Sequence, residues 1–374
     1  MVQAIVFPQE EDAMPRIVAH VDMNAFFAAI EQNAHPEWKN EPIVVCVFSG
    51  RTLDSGVVSS ASYDARKLGV RAGMPIVQAK QLCAKGHFVP VNHTLYGQIS
   101  DQIFTRLFAY GDAVEMASID EAYADLTQKT QGDYAHAERL MREFQQKIQK
   151  EFNLGCSVGI APNKLLAKIA SDFQKPNGFT IVKPESVQSF LDPLPVKSLL
   201  GIGPKTEQQL VEKNIHTIAQ LRACGAGELV ALFGAARGQY FFHASRGIDE
   251  SPLETNYEKQ QRSSIWTLQR DTQDWNELRA LVREKALELW DETAAQGKFF
   301  TQISVVGVDI ALKQMTRSTT LNVACVSSEQ LFSEVEQLFQ SLLSNAPLPL
   351  RRVGLRVGGF ASPPKQKRLN EFFG

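Results

Sequence analysis

The sequence predicts an α+β protein of several domains, and three observations carry that prediction. Its 374 residues, 44% of them hydrophobic, can fill more than one core, which suggests two to four domains. Between residues 16 and 182 the order strand, strand pair, helix, strand, helix, strand fits a mainly antiparallel sheet with helices over one face. Past Pro193 and Pro195 the pattern turns to small helices, and after a polar stretch a second α+β pattern begins.

Taken in order, "RIVAHVD" alternates, is β-branched, and reads as a strand delivering Asp22 at its C-terminal end. "NAFFAAIEQ" reads as a short helix and "PIVVCVFSG" as a strand ending in Gly50. "SYDARKLG" has Ser62 near a helix start and Gly69 as its stop, and Pro75 opens a helix through about Cys83. Leu95, Ile99, Ile103, Leu107 and Phe108 recur at helical spacing before the strand "AVEMASID". A polar helix over 133–152 follows, then strand "CSVGIA", helix "NKLLAKIASDF", turn "KPNG" and strand "FTIV". The segment 249–262 lacks apolar periodicity and reads as a linker. Beyond it "WNELRALVREKALELWDETAAQG" and "SSEQLFSEVEQLFQSLLS" read as helices, "FFTQISVVGVDIAL" and "RRVGLRVGGF" as strands.

Composition excludes more than it selects. With a net charge of −2 and a pI near 6.4, any anionic partner must be held by local clusters. Five scattered cysteines without C-x-x-C spacing indicate neither a disulfide framework nor a zinc site and fit a reducing cytoplasmic interior. No stretch approaches membrane-spanning length, so a soluble cytoplasmic protein with no membrane partner is expected.

"ASIDEAYADL" places Asp120 and Glu121 side by side in a strand context, where neighbours normally point to opposite faces. Alone, the pair reads as a solvated turn. Together with Asp22 at a second strand end, it can bring three carboxylates to one sheet edge, where hard divalent cations choose oxygen ligands. The chain must then bend or end at Asp120 and Glu121. A triphosphate beside such a site needs donors: Tyr63 and Arg66 are three apart on one helical face, and Lys175 stands on a rigid turn. Each of these is, taken singly, equally an exposed polar residue. Glu31, Glu115 and Asp125 read as solvated or locally paired.

"HVDMNAFFAAIE", "ASYDARKLGVRAGMP", "ASIDEAYADL" and "VGIAPNKLLAKIASDFQKPNG", in that order, closely resemble the Y-family translesion DNA polymerases of the polymerase IV-like (DinB) branch. "VVCVFSGR" is similar to archaeal members. The resemblance implies a multidomain right-hand polymerase: N-terminal extension 1–15, palm 16–25 and 93–182, fingers 26–92, helical thumb 183–250, linker 251–262, little finger 263–360 and clamp-binding tail 361–374. It implies template-directed synthesis of low fidelity across lesions, moving a nucleotide from dNTP to the primer 3′-OH with pyrophosphate release. Asp22, Asp120 and Glu121 match the catalytic carboxylates, which with the Met23 carbonyl would hold two Mg²⁺. Tyr63, Arg66 and Lys175 match the triphosphate-holding groups, and Phe27 the aromatic steric gate beneath the sugar; Phe26 is expected in the core.

"LLGIGPKT" lacks P-loop spacing; Gly201 and Gly203 between short helices fit a helix-hairpin-helix that binds DNA phosphate through backbone N–H groups. From Gln337 to Asn370 there is no acid, while Arg351, Arg352, Arg356, Lys365, Lys367 and Arg368 are present. Arg351 and Arg352 are therefore candidate contacts to primer-template DNA, against the alternative of arginines protecting a strand edge. Gln366, Leu369, Phe372 and Phe373 give Q-x-x-L-x-x-F-F, similar to sliding-clamp docking motifs; the alternative is packing back on the preceding domain. A monomer is expected. Two rivals, a two-metal nucleotide cyclase and an inactive DNA-bound adaptor, leave respectively the helix-hairpin-helix and the carboxylates unexplained.

Overall fold

The structure, a computed structural model, describes residues 14–255 and 260–361. The Gln366, Leu369, Phe372 and Phe373 motif lies outside the described residues, as do Lys365, Lys367 and Arg368. The chain forms two compact units, Met1–Val47 with Val57–Asn256, and Phe48–Gly56 with Tyr257–Gly374.

In chain order the first unit holds β1 (Val18–Met23), α1 (Phe26–Ala34), β2 (Ile43–Phe48), β3 (Gly56–Ala61), α2 (Tyr63–Lys67), α3 (Ile76–Leu82), β4 (His87–Pro90) and α4 (His93–Leu107). It continues with β5 (Ala113–Met116), β6 (Glu121–Asp125), α5 (Thr127–Thr130), α6 (Tyr134–Phe152), β7 (Cys156–Ala161), α7 (Lys164–Phe173) and β8 (Phe179–Ile181). Five short helices follow: α8 (Val187–Leu191), α9 (Pro204–Val211), α10 (Ile218–Ala223), α11 (Ala226–Phe233) and α12 (Ala235–Ala244).

Its main sheet has the order β5-β6-β1-β7-β8, antiparallel except for the parallel pair β7/β8. Helices lie on both faces, where the sequence pattern pointed to one. β1 and β7 are buried at every position, so residues of both parities need cover. Ile17, Ala19, Val21 and Met23 pack with Phe104 of α4 and Phe144 of α6, whereas Val18 and Ala161 pack with Leu166 and Ala170 of α7. Residues of β1 with even numbers, His20 and Asp22 among them, therefore face α7. A small sheet β3-β2-β4 has its own core around Val44, Val58 and Ile76.

The second unit contains β9 (Gln261–Thr272), α13 (Trp275–Ala294), β10 (Phe299–Asp309), β11 (Gln314–Cys325), α14 (Ser328–Leu343) and β12 (Leu350–Ala361). The sheet order is β11-β10-β12-β9, antiparallel throughout. α13 and α14 pack on one face, where Val282 and Phe339 meet Ile303, Val353 and Val357. Gln261 and Arg262 belong to β9, so the linker predicted through residue 262 is shorter at that end. β12 lies between β10 and β9, which removes the strand-edge explanation of its arginines.

Candidate active site

The predicted strand "AVEMASID" stops at Met116, and residues 118–120 bend before β6 starts at Glu121. The strand ends where the paired acids require it to. Glu121 is the register partner of Asp22 on the neighbouring strand β1, so their side chains stand side by side on the α7 face. Asp120 remains in the connection: its carboxylate accepts from Ser118 Oγ at 2.6 Å, and its carbonyl accepts from Met23 N at 2.9 Å.

Lys168 of α7 bridges the pair, donating from Nζ to Asp22 Oδ2 at 3.0 Å and Glu121 Oε1 at 2.6 Å. Lys175, beyond the end of α7, donates to Asp22 Oδ2 at 2.6 Å and pairs with Asp172 at 2.6 Å. Burial pushes the Asp22 carboxyl up to about 6, the bond with Glu121 adds to this, and the two lysines oppose it. Burial would raise Glu121 as well, but its contacts with His20, Asp22 and Lys168 outweigh that and hold it well below the usual carboxylate range. Lys168 loses solvation too, yet Asp22 and Glu121 outweigh the loss and raise its pKa, so it stays an ammonium.

Beneath this pair, fully buried His20 bonds through Nδ1 to Ser171 Oγ at 2.7 Å, and Ser171 donates onward to the Lys168 carbonyl at 2.8 Å. His20 is thereby tied through the serine to the α7 backbone. Its Nε2 has no hydrogen-bond partner and lies 3.6 Å from Glu121 Oε2. Neither Lys168 nor His20 was singled out from the sequence. The available signals were one lysine inside the apolar run "LLAKIAS", seven residues before Lys175, and a histidine two residues before Asp22 on the same strand face.

Among the described residues no three His, Cys, Asp or Glu side chains gather as a metal-holding group. The donor set nevertheless suits a hard divalent cation: two carboxylates stand together, and an ammonium already occupies the space between them.

The chain leaves β1 through Ala25, whose φ of +46° turns it straight into α1. Phe26 is buried in the core, as expected, while Phe27 is half-buried and lines a cleft of about 760 Å³ with Ser59, Ser60, Arg66, Arg71 and Asp120. Ser62 caps α2 by accepting from Ala65 N, which sets Tyr63 and Arg66 on one face, the guanidinium 5.0 Å from the ring centroid. Tyr63 OH reaches Asn24 at 3.5 Å, at the end of β1. Of the acids set aside, Asp125 accepts from Thr127 N and Glu115 pairs with Lys164, whereas Glu31 is buried and accepts from Tyr96.

Gly201 adopts φ +83° and Gly203 is the N-cap of α9, with open space where a Cβ would stand. In the second unit Arg352 and Arg356 alternate with the core residues Val353, Leu355 and Val357, which puts them on the helix-free sheet face. Arg351 falls at the register shift between Leu350 and Arg352.

Carboxylates at the end of a central antiparallel strand, faced by groups suited to phosphate, define a nucleotidyltransferase with a palm-type sheet. Family models agree: impB/mucB/samB family over residues 21–172, DNA polymerase-iota thumb domain over 197–249, and impB/mucB/samB family C-terminal domain over 259–370. The DNA polymerase IV of Nitrosopumilus maritimus is 36% identical over 96% of this chain and 99% of its own. That of Methanosarcina acetivorans is 37% identical over 96% of this chain and 100% of its own. Among solved structures, the Y-family DNA polymerase chimera Dbh-Dpo4(243-245)-Dbh superimposes with a TM-score of 0.88 at 32% identity, covering 93% of this chain and 100% of that one. An insertion ternary complex of Dbh DNA polymerase matches with a TM-score of 0.68, at the same identity and coverage.

The chain belongs to the Y family of DNA polymerases, in its DNA polymerase IV branch. It is a template-directed DNA polymerase of translesion synthesis, and the family's nucleotidyl transfer needs a divalent metal. Among the described residues no helix is long and apolar enough to cross a membrane.

Proposed function

We propose that Asp22, Asp120 and Glu121, with the Met23 carbonyl, hold two Mg²⁺ and form the catalytic centre for joining a dNTP to a primer 3′-OH. The observation that carries this reading is the register pairing of Asp22 with Glu121 around the Lys168 ammonium. Bound there, the ions supply charge that activates the primer hydroxyl and stabilises the leaving pyrophosphate. The protein's own groups do the rest. Tyr63, Arg66 and Lys175 hold the triphosphate, with the Arg66 fork matching two phosphate oxygens. Phe27 packs against C2′ of the incoming sugar, which leaves no room for a 2′-hydroxyl and favours deoxyribonucleotides.

The domain reading accompanies the site: palm 16–25 and 93–182, fingers 26–92, thumb 183–250 and little finger 263–360. Gly201 and Gly203 offer α9 backbone N–H groups to a DNA phosphate, and Arg351 and Arg352 hold the template backbone. The polymerase works as a cytoplasmic monomer, and Gln366, Leu369, Phe372 and Phe373 dock it on a sliding clamp.

One assay tests the reading: primer extension with Mg²⁺ and dNTPs. Asp120→Ala should lower extension by about a thousandfold, the scale of losing one charge-stabilising group; extension at the parental rate would remove Asp120 from the centre. In the same assay with a clamp present, deleting 366–374 should abolish the stimulation and leave clamp-free extension intact. Unaltered stimulation would exclude the docking role.

A further inference from the structure

A ring excludes a 2′-hydroxyl only if it cannot retreat from it, so the question for Phe27 is what stands behind it. Phe27 is half-buried on α1, and the ring of Tyr96, from α4, stacks on it with centroids 4.4 Å apart and planes at 20°. Tyr96 is 0% exposed and sits in the main core with Ile103 and Phe104, so the surrounding packing blocks its own retreat. Its hydroxyl donates to Glu31 Oε1 at 2.6 Å, which fixes the ring's rotation as well. Glu31 itself is buried, one helical turn beyond Phe27 on α1, so the gate and its brace are tied to the same helix. Burial, then the bond and the charge of Glu31, raise the Tyr96 phenol's pKa, which keeps it a donor. His93, also on α4, meets Phe27 edge-on with ring centroids 6.4 Å apart.

We infer that Tyr96, locked by Glu31, is a positioning residue for sugar selection: it braces Phe27 against the 2′-carbon of the incoming nucleotide. This rests on the reading of Phe27 as the gate. Nothing in the inference requires Tyr96 to touch substrate, and its effect must pass through Phe27. The brace also makes a distinction between volume and flatness. A branched aliphatic side chain fills most of the space but offers no flat face, whereas phenylalanine keeps the face and loses only the bond to Glu31.

The test is the ratio of kcat/KM for a dNTP to that for the matching rNTP, measured on the full chain in single-nucleotide primer extension. The ratio cancels the fraction of folded enzyme, so a merely structural role does not move it. Tyr96→Ala and Tyr96→Leu should each lower it by about tenfold, the scale on which pocket shape discriminates. Tyr96→Phe should lower it less than either. In a Phe27→Ala background, Tyr96→Leu should have no further effect. A ratio held within about twofold by both Tyr96→Ala and Tyr96→Leu, while Phe27→Ala lowers it, overturns the brace and leaves the gate standing. An undiminished effect of Tyr96→Leu in the Phe27→Ala background overturns the brace too, because Tyr96 would then act without the gate. If Phe27→Ala leaves the ratio unchanged, the gate reading fails and the brace fails with it.

Discussion

Lys168 sets the electrostatic state of the site before any substrate arrives. Its ammonium neutralises two carboxylates that burial would otherwise force apart or protonate, at 3.0 and 2.6 Å and with only 13% of its own side chain exposed. Removing one partner of such a group leaves uncompensated charge, a larger penalty than the pair's net worth. Lys168→Ala should therefore lower stability by roughly 1–3 kcal/mol, below the fully buried case because Glu121 is partly solvated. A divalent cation should replace the missing charge, so added Mg²⁺ should raise the variant's melting temperature more than the parent's. Equal shifts in the two proteins would show that the cation does not use the Asp22–Glu121 space. Asp22 was readable as a strand end and Glu121 as half of an acidic pair. Their meeting at one sheet edge was expected from the combination and from the family resemblance, whereas the exact pairing of Asp22 with Glu121 is a cross-strand register linking residues about a hundred positions apart, which nothing local encodes.

At the scale of elements, the site depends on how closely α7 lies on β7. A Cβ added to Gly159 of β7 would run into the Ala167 carbonyl oxygen and the Ser171 nitrogen of α7, both backbone atoms that cannot swing aside. Gly159→Ala should thus cost roughly 1–3 kcal/mol by overpacking, read as a lower denaturant midpoint with an unchanged slope. It should also depress primer extension at temperatures where the variant remains folded, because Lys168 and Ser171 ride on the displaced helix. Wild-type extension from a destabilised variant would separate the helix position from the chemistry. Elements with strong periodicity, such as β1, α7, α13 and α14, were legible in the sequence. β9 and β11 were not: both are edge strands of a sheet with one helix-free face, and "QMTRSTTLNVAC" places Thr, Ser and Arg where a buried strand would carry an apolar run. β4 has only four residues, too few for the same signal to register, while β3 starts on Gly56 and carries Ser59 and Ser60, which read as loop. The second covered face of the main sheet was hidden for a related reason. In β1 the polar His20 and Asp22 stand on the buried α7 face, so its alternation reads as one covered and one open face.

At the scale of the whole molecule, a DNA polymerase with a net charge of −2 must hold a polyanion by placing charge rather than accumulating it. On the proposed reading, the arginines of β12 do so. Arg352 and Arg356 stand four residues apart on the helix-free face of an interior strand, each with a buried Nε that has no hydrogen-bond partner. Gly354 lies between them, where a Cβ would meet the Ile265 side chain and the Ser264 carbonyl at 2.6 and 2.8 Å. The two stems are packed into the sheet, and their cross-strand neighbours Ser304, Ser263 and Thr267 bring no opposing charge. An interior strand has no free edge to protect, so edge protection does not explain these arginines, and the proposed template contact is the reading left for them. If Arg352 neutralises one phosphate, Arg352→Ala should weaken primer-template binding about equally for unrelated sequences. The slope of log affinity against log salt should become shallower by about one. Anisotropy titrations from roughly 50 to 200 mM salt measure both quantities. Weaker binding with an unchanged slope would mean that Arg352 shapes the sheet without touching a phosphate.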